Sequence, residues 1–169
     1  PSINWSVNAS WSSFLDGLRD VLADRDVIDP AAVRLARQVA GEGDDRTRAE
    51  RLYRWLLDET ENNDDVFGEA PVMLAQRTGN RVRMLHYLLG LVGIRSDLLV
   101  ARGLGNDQTR SEVADEETYT NLVLRLGAVA SAGSAADGGG EGAVYLQPTA
   151  RGVPFGYLNP ALRGQDALV

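Results

Sequence analysis

Residues 77–92, Arg-Thr-Gly-Asn-Arg-Val-Arg-Met-Leu-His-Tyr-Leu-Leu-Gly-Leu-Val, constrain the fold more than any other stretch of the chain. Gly79 predicts a tight turn and Asn80 a helix N-cap. From Arg81 to about Val92 the expected helix is apolar on nearly every side, and Gly93 supplies its stop. A helix of that kind belongs at the centre of a domain. Its N-terminus, with free backbone N–H groups and the positive end of the helix dipole, is where many cysteine enzymes hold a thiolate. This chain has no cysteine, and Arg81 and Val82 stand at the first helical positions. The main functional message is therefore an absence.

Composition narrows the chemistry further. At 169 residues the chain is expected to form one domain, residues 1–169, with a substantial core. A net charge of −7 argues against nucleic acid as a partner, because phosphate binding calls for a basic surface. No apolar run approaches the roughly 20 residues of a membrane span, and no signal peptide is visible. The start at Pro1 and stop at Val169 suggest a segment of a longer protein, with targeting information outside it. All 17 basic residues are arginine, which removes lysine Schiff-base chemistry. Without cysteine there are no disulfides, thiolate metal sites or thiol catalysis. The single histidine, His86, excludes a multi-histidine metal site. No cofactor and no metal are implied.

Helices are expected first, strands second. Apolar spacing after Ser10 predicts a helix over about 11–24. Asp29-Pro30 predicts an N-cap and first helical position, with Gly41 as the stop. A longer helix follows from Asp44 or Asp45 to about Thr60. Residues 59–65 read as a solvated acidic loop, and 69–77 as a short helix. The helical half thus ends near residue 93. In the strand-rich half, about 94–169, the strand candidates are 96–101, 119–126 and 143–147. Residues 102–117 and 127–142 read as loops. The tail 148–162 carries turn signals, with Asn159-Pro160 opening one helical turn and Gly164 closing it. The layout is α+β: N-terminal helices and a buried central helix packed on an antiparallel sheet of three or more strands.

Several phrases occur in a telling order: Asn8-Ala9-Ser10-Trp11, the helix 48–59, the short helix 70–77 and the Gly79-Asn80 turn. Leu88-Leu89-Gly90-Leu91-Val92-Gly93-Ile94, Thr120-Asn121, Leu146-Gln147-Pro148-Thr149, Gly156-Tyr157-Leu158 and Leu162-Arg163-Gly164 follow. Over nearly the whole segment this order resembles the bacterial transglutaminase-like superfamily, which has a papain-like core. It resembles the variety that follows an N-terminal β-rich domain in larger bacterial proteins. Enzymes of that family use a cysteine nucleophile, a histidine base and an aspartate that orients the histidine. On this chain the resemblance puts Arg81 at the nucleophile's position, Leu122 at the base's and Gln147 at the aspartate's. The three are expected to converge.

A guanidinium stays protonated and has no usable nucleophilicity, and Leu122 cannot exchange a proton. The resemblance therefore implies a degenerate triad and a catalytically inactive module. Its expected partners are neighbouring domains of the same polypeptide or another protein; the segment is expected to be soluble, with an extracytoplasmic bacterial setting as one option. The alternative is an enzyme of altered chemistry, a hydrolase or acyl/amine transferase with a cleft rebuilt around Arg81 and His86. His86 itself reads as a hydrogen-bonded core residue, with a relocated base near Ser96, Thr78 or Tyr87 as the other reading. Arg77, Asn80, Arg81 and Arg83 are a candidate anion site, for a carboxylate, a phosphate or a partner's C-terminus. The competing reading sends Arg81 to water or to an acidic residue. Asp64–Asp65 and Glu116–Glu117 read as solvated loop charge rather than a carboxylate dyad or calcium site. Trp5, Trp11 and Trp55 read as packing residues.

Overall fold

Local capping chemistry sets the helices where the sequence places them. The computed structural model describes residues 16–17, 28–66, 68–102, 119–127, 142–164 and 167–168. Of the helix expected over 11–24, Asp16 and Gly17 are helical and the rest lies outside the described residues, as do Trp5, Trp11 and Glu116–Glu117. Helix α1 spans Pro30–Ala40; Asp29 caps it by accepting from Ala31 N–H at 2.8 Å, and Gly41 ends it with φ 59°. Helix α2 spans Asp45–Glu59 and is capped by Asp44, which accepts from Thr47 N–H at 2.7 Å. Helix α3 covers Ala70–Gln76 and closes on Arg77, which adopts the left-handed conformation at φ 57°.

The stretch read as a plain acidic loop contains a strand. Strand β1, Glu61–Asn62, pairs in parallel with β2, Thr78–Gly79. Two residues carry no periodicity, so no pattern announces them. The pairing holds the end of α2 beside the start of the central helix. Gly79 is required there, because a Cβ would overlap the Met73 side chain.

The central helix α4, Arg81–Leu91, ends at Val92 with Gly93 at φ 79°. It packs against α1, α2 and α3 on one side and the sheet strands β3 (Ser96–Arg102) and β4 (Tyr119–Leu126) on the other. Met84, Leu85, Leu88 and Leu89 lose all contact with water. Contact on both sides explains why the helix lacks a polar face.

The antiparallel sheet has the order β5-β4-β3-β6, with β5 at Val144–Leu146 and β6 at Ala167–Leu168. The short edge strand β6, paired at Val100 and Ala101, was not foreseen. Period-two alternation divides the sheet's side chains between two layers. Val100, Leu122, Leu124, Leu126 and Leu146 join the core beneath the helices. Leu99, Ala101 and Val123 face the other way, against Leu158 and Leu162. Leu162 belongs to a 3-10 turn, Pro160–Leu162, capped by Asn159 as expected, so the tail covers the sheet's second face. The fold is α+β. No helix among the described residues is long and apolar enough to cross a membrane.

Candidate functional site

Two asparagines hold the N-terminus of α4. Asn80 has an extended backbone, and its Oδ1 accepts from Val82 N–H at 3.1 Å and Arg83 N–H at 3.3 Å. Asn62, carried on β1, accepts from Arg81 N–H at 3.1 Å. The N–H groups of the first turn, which a helix leaves without internal partners, are thus bonded to neutral amide oxygens. An anion arriving there would have to displace them.

Arg81 turns away from that end. Its guanidinium donates to Thr60 Oγ1 at 3.2 Å, to the Leu57 carbonyl at 3.3 Å and to the Thr60 carbonyl. These acceptors lie at the C-terminus of α2, where carbonyls lack intrahelical partners and a cation meets the negative end of the dipole. Arg81 is 3 % exposed, and Thr60 is buried beside it. Burial draws the guanidinium below its usual pKa, and the Arg151 charge adds to the effect. It remains a cation under ordinary conditions. Arg81 is therefore a strut joining the end of α2 to the start of α4.

The candidate anion site of Arg77, Asn80, Arg81 and Arg83 is not assembled. Arg83, also buried, donates through Nη1 to the carbonyls of Val66 and Gly68 at 2.5 Å each, closing the loop between β1 and α3. Arg77 is exposed and stacks 4.7 Å from the centre of the Trp55 ring, with the Glu59 carboxylate 3.8 Å away. The physical reason is general: a buried guanidinium must spend its donors, and nearby backbone carbonyls were the available acceptors. Arg81 points neither to water nor to an acid, so the competing reading fails as well.

An open cleft of about 390 Å³ lies at the head of α4. Asn80 and Val82 line it from the helix, Asn121 and Leu122 from β4, and Gln147 and Thr149 from the segment after β5. Asn62, Asp64 and Val66 complete the wall. Of the three positions expected to converge, Leu122 and Gln147 line one cleft, with Asn80, and Arg81 is not among its lining residues. Gln147 is 8 % exposed, and its Oε1 accepts from Asn159 N–H at 3.4 Å. Asn62 carries no sequence signal, because it lies in a stretch that reads as a solvated loop; Asp64 is exposed, in keeping with that reading, and also lines the cleft.

The lining offers carboxamides, aliphatic groups, one hydroxyl and one carboxylate. Thr149 is the lone hydroxyl among the described lining residues, and no imidazole stands beside it. His86 lies elsewhere: it is half-buried on α4, with Nδ1 2.9 Å from Ser96 Oγ at the start of β3. Arg81 at the end of α2 and His86 at β3 are directed to different elements and do not form a shared site. No group of three or more His, Cys, Asp or Glu residues among the described residues could hold a metal.

No family model matches the chain, and no curated protein matches it. Its fold is similar to that of a candidate protease from Parabacteroides distasonis, with a TM-score of 0.57 and 13 % sequence identity over 79 % of this chain. The matched region spans 25 % of that protein's length. A likeness at this level of identity concerns the fold.

Proposed function

We propose that the chain is a catalytically inactive transglutaminase-like domain that serves as a structural or binding module of a larger bacterial protein. The observation that carries the reading is the content of the cleft at the head of α4. Leu122 and Gln147, the positions at which the resemblance calls for a base and its orienting acid, line it together with Asn80 and Val82. Neither can take a proton from a nucleophile at neutral pH, and the helix N–H groups that would stabilise an anion are already bonded to Asn62 and Asn80. Acyl transfer needs both functions together. The fold shared with the P. distasonis protein, of which this chain matches a part, fits a module within a longer polypeptide.

The test is turnover. The purified domain incubated with a glutamine-donor peptide, a primary amine and unstructured peptide substrates should give neither ammonia nor cleavage above the blank. Turnover that disappears in His86→Ala would overturn the proposal and favour an enzyme of altered chemistry.

A further inference from the structure

We infer that the cleft at the head of α4 is a cradle of neutral hydrogen-bond donors for an uncharged ligand bearing closely spaced amide carbonyl oxygens. The inference rests on the binding-module reading and specifies its ligand.

Three side-chain amides carry the argument. Asn62, Asn80 and Gln147 each face a backbone N–H: that of Arg81, those of Val82 and Arg83, and that of Asn159. A backbone N–H only donates, so the amide atom opposite it is oxygen and the NH2 is the other end. The orientation of all three amides is fixed by this logic. None of the three NH2 groups finds an acceptor among the described residues. Asn80 and Gln147 are each 8 % exposed, and their NH2 groups keep a small contact with solvent. A donor that the protein leaves without an acceptor is available to a ligand whose oxygen replaces the water on it. All three residues line the same cleft.

Charge decides the kind of acceptor. The ionisable group among the described lining residues is Asp64, which repels anions. The arginines near the helix start are engaged elsewhere, and the first-turn N–H groups are occupied. A carboxylate or phosphate entering here would lose its water without gaining a counter-charge. An amide carbonyl requires only donors. Val82 and Leu122 offer aliphatic contact to its substituents, and the cleft volume lies within the roughly 300–1,000 Å³ usual for small-ligand sites.

The experiment is a ¹H–¹⁵N titration of the domain with N-acetyl-alanine N-methylamide, run beside acetate and inorganic phosphate. The diamide should shift the side-chain NH2 signals of Asn80 and Gln147 saturably, and the two anions should not. Gln147→Glu keeps an oxygen for Asn159 N–H but deletes the donor. It should weaken diamide binding about two- to twelvefold, the loss of one hydrogen bond. Gln147→Met, which adds no charge, should weaken it similarly while the backbone spectrum stays folded. Saturable binding of acetate or phosphate at these signals without the diamide would overturn the inference but leave a binding module standing. No diamide binding, or shifts mapping away from the cleft, would overturn it as well. If the diamide bound through Gln147 and was also hydrolysed, the donor cradle would stand and the inactive reading would fall.

Discussion

Replacing Arg81 tests the strut most sharply. In Arg81→Met the aliphatic stem is roughly preserved, but the donors to Thr60 Oγ1, Leu57 O and Thr60 O are gone. Two carbonyls at the end of α2 are then left without a partner in a buried place. Each unsatisfied buried polar group costs about 1–3 kcal/mol. Set against this is relief from burying a guanidinium, which offsets part of the loss. We expect a net destabilisation of about 3 kcal/mol. In a protein of this size about 1 kcal/mol moves the melting temperature by roughly 2–4 °C, so the midpoint should fall by about 6–12 °C. The assay is urea unfolding followed by circular dichroism at pH 7, with Thr60→Val and the double variant completing a cycle. The pair should show a coupling of at least about 0.5 kcal/mol. Arg81→Lys should fail to rescue fully, because an ammonium cannot reach acceptors in a fork. A loss below about 1 kcal/mol for Arg81→Met, with no coupling to Thr60, would refute the reasoning.

Three further perturbations have expected outcomes. Asn80→Ala removes the acceptor of two N–H groups at the head of α4 and should cost about 1–2 kcal/mol by urea unfolding. Gly79→Ala places a methyl into the Met73 side chain and should cost about 1–3 kcal/mol, read by the same assay. Burial pushes the Tyr53 hydroxyl up to about 12 from 10.0, with the Arg81 charge opposing. The folded state therefore keeps its proton where the unfolded chain has lost it. Stability from this group is full below pH 10 and is lost as pH rises from about 10 to about 12. In Tyr53→Phe the alkaline decline of the melting temperature should be shallower across that window.

Much of the fold was legible because it is written in local chemistry. Asp29-Pro30, Asp44, Asn80 and Asn159 each cap a helical segment through a side chain two or three residues from its partner. Such contacts can be read from spacing alone. Strand β4 was legible because apolar residues alternate through Leu122, Leu124 and Leu126. The pairs β1–β2 and β3–β6 were not, since two residues make no pattern and the pairing partner is set by tertiary packing. The site divides the same way. Leu122 and Gln147 arrive together because β4 and β5 are neighbours in the sheet. The direction of Arg81 depends on the end of α2, 21 residues earlier, and no sequence spacing specifies where a long side chain bends. Arg83, expected at an anion site, is buried for a similar reason: its guanidinium bonds the Val66 and Gly68 carbonyls of the loop before α3.

The most direct measurement of the central claim is the intact mass of the domain after prolonged incubation with an activated acyl donor, such as a glutamine-peptide thioester analogue. A cleft whose described lining is amides, aliphatic groups, Thr149 and Asp64 should leave the mass unchanged. An acyl adduct that maps by peptide digestion to Thr149 or another lining residue would contradict the account.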